Sequence, residues 1–114
     1  MQYRNLGKSG LIVSRLSLGC MSFGRPDAGR HEWTVDEDAS RTIIRQALEA
    51  GINFLDTADI YGPHTNESLI GQAIAGKRDQ VFLASKFGIV RDPANPALRG
   101  VNGRPEYIRA AIDG

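Results

Sequence analysis

Cysteine is almost missing: Cys20 is the one cysteine of 114 residues, and a lone thiol cannot close an internal disulfide. No group of Cys and His has the spacing of metal ligands, so nothing calls for a structural zinc or another metal, or for an oxidising compartment. The expected setting is cytoplasmic. Long apolar runs are missing as well. No stretch approaches the roughly 18 consecutive apolar residues of a membrane span, and the start, MQYRNLGKSG, lacks the apolar segment of a secretory signal. An excess of one charge is also absent. Fourteen Lys+Arg stand against 13 Asp+Glu, and the basic residues are spread from Arg4 to Arg109 with no run. The electrostatic footprint of a nucleic-acid or anionic-membrane partner is therefore excluded. What is present, 41% hydrophobic and 24% charged residues, suits one packed globular unit and not a disordered tail.

Tyr3 to Leu6 and Leu11 to Val13 flank Gly7-Lys8-Ser9-Gly10, turn chemistry between two short strands, so a hairpin is expected at the start. Leu16-Ser17-Leu18 reads as a strand ended by Gly19, and Ser22 to Trp33 as a loop. Thr34-Val35-Asp36-Glu37 has capping-box spacing. The apolar positions Ala39, Ile43, Ile44, Ala47, Leu48 and Ala50 then recur at helical period, which is the signature of core packing, and Gly51 is placed to stop the helix. The cycle repeats. Ile52 to Leu55 is a strand, Asp56 to His64 a loop, and Thr65 or Asn66 can cap a helix reaching Ala75 and ending at Gly76. Gln80 to Ser85 is a third strand, Lys86 to Gly103 a long Gly/Pro/Asn-rich loop, and Pro105 opens a helix toward Ile112. The strand exits at Gly19, Asp56 and Lys86 recur with the period of a βα unit in a parallel sheet, so the fold class is α/β.

In such sheets the loops beyond the carboxyl ends of the strands converge on one face and hold the ligand. Gly19-Cys20-Met21, Asp56 to Tyr61 and Lys86 all fall there. An acid, a phenol and an amine on neighbouring strand ends form a proton-transfer group: an ammonium favours the phenolate form of a tyrosine, and a carboxylate partners the ammonium. With a carbonyl substrate the phenol would donate its proton to the developing alkoxide. None of these side chains can supply a hydride, so a nicotinamide cofactor is required for reduction. A plainer reading also stands, in which Asp56 caps a turn, Tyr61-Gly62-Pro63 anchors a loop and Lys86 is merely solvated. Cys20 reads as a small buried hydrophobe. His31 and His64 read as loop residues. No Gly-x-Gly-x-x-Gly follows a strand, so the Rossmann mode of dinucleotide binding is not supported.

At these residues the chain resembles the aldo-keto reductase superfamily. The run Gly51-Ile52-Asn53-Phe54-Leu55-Asp56-Thr57-Ala58-Asp59-Ile60-Tyr61-Gly62, followed by Asn66-Glu67 and Leu69-Ile70-Gly71, is similar to that family's signature around its catalytic Asp and Tyr. Tyr3 to Gly10, Leu18 to Gly24 and Ala84 to Gly88 resemble further family segments in the right order. The resemblance implies a (β/α)8 TIM barrel that uses NADPH, or less often NADH, to reduce aldehydes and ketones. It implies Tyr61 as proton donor, Lys86 as the group favouring its ionised form and Asp56 as the partner of that lysine. It places Gly19, Cys20 and Met21 beside the nicotinamide, with Asp56 near the ribose. The Trp33 region and the segment from Gly88 to Gly103 would border the substrate.

A complete barrel takes about 250 residues, and three strand–helix units fill this chain. Residues 1–114 are thus expected to be the N-terminal part of a barrel domain, an N-terminal hairpin plus about three βα units, inactive alone. The histidine that this family carries at the end of the fourth strand would lie beyond Gly114. The alternative is a silent remnant or a partner module binding through its open edge. Three parallel strands leave unpaired edges on both sides, so the chain is expected to self-associate.

Overall fold

A computed structural model describes residues 1–25, 32–62, 65–92 and 94–114, with the backbone alone at 91, 92 and 96–98. His31 and His64 lie outside the described residues. Strands β1 (Tyr3–Asn5) and β2 (Ile12–Ser14) form the expected antiparallel hairpin, with Tyr3 opposite Ser14. Four hydrogen bonds fasten it to the chain entering the next sheet strand. Tyr3 Oη donates to the Gly51 carbonyl at 2.9 Å and the Ser14 amide to Asn53 Oδ1 at 2.7 Å, while Asn53 returns bonds to Ser14 Oγ and the Ile12 carbonyl, each at 3.1 Å. The hairpin therefore covers the amino end of the sheet and leaves its carboxyl end to the site.

That sheet is parallel, in the order β3 (Leu18–Gly19), β4 (Phe54–Asp56), β5 (Phe82–Ala84). Helices α1 (Glu37–Glu49) and α2 (Asn66–Ala73) are the connections between successive strands, as a parallel pairing demands. Side chains alternate along a strand. Leu55, with its register partner Leu18, packs against Ile44 of α1, Ile70 of α2, Ile74, Phe23 and Val81 in one apolar cluster. Phe54 and Asp56, together with Gly19, Phe82 and Ala84, fall on the opposite side. In a closed barrel that side is the interior.

Several element ends differ from the sequence reading. The cap of α1 is Asp36, whose carboxylate accepts from the Ala39 amide at 2.8 Å, and not Thr34. The reason is tertiary: Val35 is held extended by a bridge to Phe23, with the Val35 amide donating to the Ser22 carbonyl at 2.7 Å. The chain therefore cannot turn helical before Asp36. Gly51 at φ +90° ends the helix as expected. Helix α2 stops at Ala73, short of Ala75, and Gly76 at φ +77° follows. The region between Lys86 and Gly103, expected as loop, contains a second hairpin: β6 (Ile89–Asp92) and β7 (Asn95–Val101) pair antiparallel, with Ile89 opposite Val101. Gly88 at φ +111° and the Asn102 amide on the Gly88 carbonyl at 2.9 Å close its base. Pro105 opens α3 (Pro105–Asp113), as predicted, and none of its residues is buried. Among the described residues no helix is long and apolar enough to cross a membrane.

Candidate active site

The parallel register sets Gly19 beside Asp56 and Asp56 beside Ala84 at the carboxyl end of the sheet. Backbone bonds carry the order past the strand ends. The Cys20 amide donates to the Asp56 carbonyl at 2.9 Å, the Thr57 amide to the Ala84 carbonyl at 2.8 Å and the Asp59 amide to the Lys86 carbonyl at 3.0 Å. Asp56 and Lys86, 30 residues apart in sequence, are thereby aligned on adjacent strand exits.

Their side chains meet. Lys86 Nζ lies 2.9 Å from both Asp56 carboxylate oxygens, donates also to the Thr57 carbonyl, and sits 5.2 Å from the centroid of the Tyr61 ring. Its partial burial pulls the lysine pKa down, but the hydrogen bond and charge of Asp56, aided by Tyr61, outweigh that and hold it above the ordinary lysine value. Lys86 is thus an ammonium at neutral pH and can only donate. It therefore cannot accept the proton of the Tyr61 phenol beside it, which must go elsewhere. The two charged side chains are 49% and 42% exposed, and an exposed ion pair contributes at most about 1 kcal/mol to stability. The arrangement matters for what it positions.

Tyr61 is half-buried in a tight turn. Its amide donates to the Ala58 carbonyl at 3.1 Å, and its carbonyl accepts from the Asn66 amide at 3.3 Å. Gly62 follows at φ +61°, where an added Cβ would stand 2.9 Å from Thr65 Oγ1, so the turn requires glycine. Next to Asp56 the sheet end is open: a Cβ on Gly19 would meet nothing within 4 Å, and Met21 is 48% exposed. On this open shelf, backbone rather than side chain therefore faces outward at Gly19, next to the Asp56 carboxylate. Cys20 differs from its two neighbours. Its side chain is fully buried, Sγ lies 3.4 Å from the Leu18 carbonyl, and its carbonyl takes a side-chain amide of Asn66 at 2.8 Å. Burial pushes its thiol up to about 12, so it is a neutral, packed group, as read from the sequence.

The residues that brace the site were not identified from sequence. Asn66, weighed there as a helix cap and quoted with Thr57 in the family signature but given no role, is buried, as is Thr57, and the two are bonded to each other. Glu67 accepts from the Ser85 hydroxyl. The signal for Asn66 was a polar residue inside an otherwise apolar helical stripe with Leu69 and Ile70. A cleft of about 450 Å³, lined by Asp59, Glu67, Ser85, Lys86, Phe87 and Ile112 among others, lies against Lys86. Neither Asp56 nor Tyr61 lines it.

Parallel βα units with an acid, a lysine and a tyrosine gathered at the strand ends define a piece of a TIM-barrel protein of enzymatic type. The chain belongs to the aldo/keto reductase family, whose model matches residues 15–114. Among solved structures it is similar to an aldo-keto reductase from Bacillus halodurans in its holo form, with 38% identity and a TM-score of 0.82, covering 99% of this chain and 34% of that one. An aldo-keto reductase from Pseudomonas aeruginosa matches at 27% identity and a TM-score of 0.79, with 97% and 39% covered. A glycerol dehydrogenase from Gluconobacter oxydans matches at 26% identity and a TM-score of 0.76, with 97% and 33% covered. The chain spans about a third of the length of these relatives.

Proposed function

We propose that residues 1–114 are the N-terminal part of the barrel domain of an NAD(P)H-dependent carbonyl reductase, acting on small aldehydes or ketones in the cytoplasm. The observation that carries this reading is the grip of Asp56 and Thr57 on Lys86 with Tyr61 alongside. In this reading Tyr61 delivers the proton to the carbonyl oxygen as negative charge grows there. Lys86, held cationic by Asp56, stabilises the charge left on the phenol oxygen. Asp56 keeps the ammonium in place and, with Gly19 and Met21, borders the shelf that would take the nicotinamide and its ribose. Cys20 would reach that shelf only through backbone, since its thiol faces the core. NADPH, or NADH, supplies the hydride when bound.

The test is NADPH oxidation with a simple aldehyde, followed at 340 nm, using the protein purified from its own cells and its Tyr61→Phe variant. The variant should lose roughly a hundredfold or more in rate while binding NADPH as before. Equal rates would sink the assignment of Tyr61 as proton donor.

A further inference from the structure

Asn66 is fully buried, and both the donor and the acceptor of its side chain are used, on two different stretches of chain. Nδ2 donates to the Cys20 carbonyl at 2.8 Å and to the Phe23 carbonyl at 2.7 Å, both in the segment leaving β3. Oδ1 accepts from Thr57 Oγ1, on the residue after β4. Its backbone amide takes the Tyr61 carbonyl at 3.3 Å. One residue at the start of α2 therefore ties together the open shelf and the strand exit that grips Lys86 through its side chain, and the turn that carries Tyr61 through its backbone amide. Thr57 is the shared link: its hydroxyl goes to Asn66 and its carbonyl to Lys86 Nζ.

We propose that Asn66 is the positioning residue of this site, acting through Thr57 and the Tyr61 turn to fix the Lys86 ammonium and the Tyr61 phenol relative to each other. The proposal rests on the reductase reading for its kinetic consequence but not for its geometry. Satisfied buried networks of this kind fix a unique arrangement, and a half-satisfied one does not. Asn66→Asp keeps the shape but turns an acceptor toward two carbonyls. Asn66→Ala leaves those carbonyls and the Thr57 hydroxyl unpaired in the core. Thr57→Val cuts only the link from Asn66 to the lysine grip, and Thr57→Ser restores it.

The experiment follows the Lys86 ammonium by NMR through a pH titration in the wild-type protein, Asn66→Ala, Thr57→Val and Thr57→Ser. Circular dichroism establishes that each variant is folded. With the Asp56 and Thr57 grip loosened, the Lys86 midpoint should fall in Asn66→Ala and Thr57→Val and return to the wild-type value in Thr57→Ser. Signals of Lys8 and Lys77 should behave alike in all four proteins. A Lys86 midpoint unchanged in a folded Thr57→Val protein overturns the proposal, and Thr57→Val provides this even if Asn66→Ala does not fold. Where turnover is measurable, kcat should fall on the order of tenfold to a hundredfold with KM little changed. An equal loss in Thr57→Ser would also overturn it. Protein purified from its own cells that shows no turnover, while its Lys86 midpoint still responds, would refute the reductase reading and leave the positioning role standing.

Discussion

Single residues divide here by what they touch. Asp56, Tyr61 and Lys86 were legible in the sequence because each sits at a fixed offset from the end of a readable strand, and parallel pairing brings such offsets together. Asn66 was not, because its four partners lie 5 to 46 positions away and no local pattern encodes them. Cys20 carries its own prediction. Its thiol is raised from 9.0 to about 12, burial first among the causes. Below pH 9 the thiol is protonated whether folded or unfolded, so it adds no pH dependence. Above 9 the unfolded chain ionises and the folded one resists, so stability should fall as pH rises from 9 toward 12. Lys86, whose folded pKa is also raised, acts in the same direction at still higher pH. In the protein purified from its own cells, urea midpoints should accordingly drop between pH 8 and pH 10.5, and a thiol reagent should label native Cys20 slowly and the unfolded chain fast. Rapid labelling of the folded protein, or a midpoint that rises with pH, would contradict this.

At the level of elements the helices were read well and their ends less so, because ends are set by tertiary bonds. Asp36 caps α1 since the Phe23–Val35 bridge keeps the preceding residues extended. Asp36→Ala should cost about 1 kcal/mol of stability, while Asp36→Asn, which keeps an accepting oxygen, should cost much less. Thermal melts of the two variants in protein produced in its own cells decide it, and equal losses would overturn the cap. The β6–β7 hairpin escaped notice because Pro93, Pro96 and Gly100 disfavour strand locally. What forms it is pairing across a short span, with Ile89 opposite Val101, and that compensates for poor propensity. Its base, at Gly88, lies two residues beyond Lys86. The hairpin occupies the stretch that the sequence reading had placed as a substrate-bordering loop.

For the whole molecule, three parallel strands bury one face under α1 and α2, while Phe54, Asp56, Phe82 and Ala84 on the other face are only half-buried. A sealed domain of this length has a radius of gyration of about 13 Å, whereas this chain has 15.2 Å. Apolar side chains remain outside: Val101 is 89% exposed and Ile112 72%. Within the described residues β3 and β5 are the sheet's outer strands, each with a row of backbone groups free to pair with another strand. The 114-residue chain in isolation should therefore associate as concentration rises, and it should unfold without a sharp transition, because no closed core enforces cooperativity. Sedimentation velocity across a dilution series measures the first and a thermal scan the second. If association runs through the sheet, Leu83→Lys, which places a charge on outer strand β5, should shift the distribution toward monomer. It should leave the Asp56–Lys86 pair in place, since Leu83 faces the opposite side of the sheet from Asp56. A monomer at every concentration with a steep melt would mean that the strands are covered by some part of the chain itself, and the open-edge argument would fail.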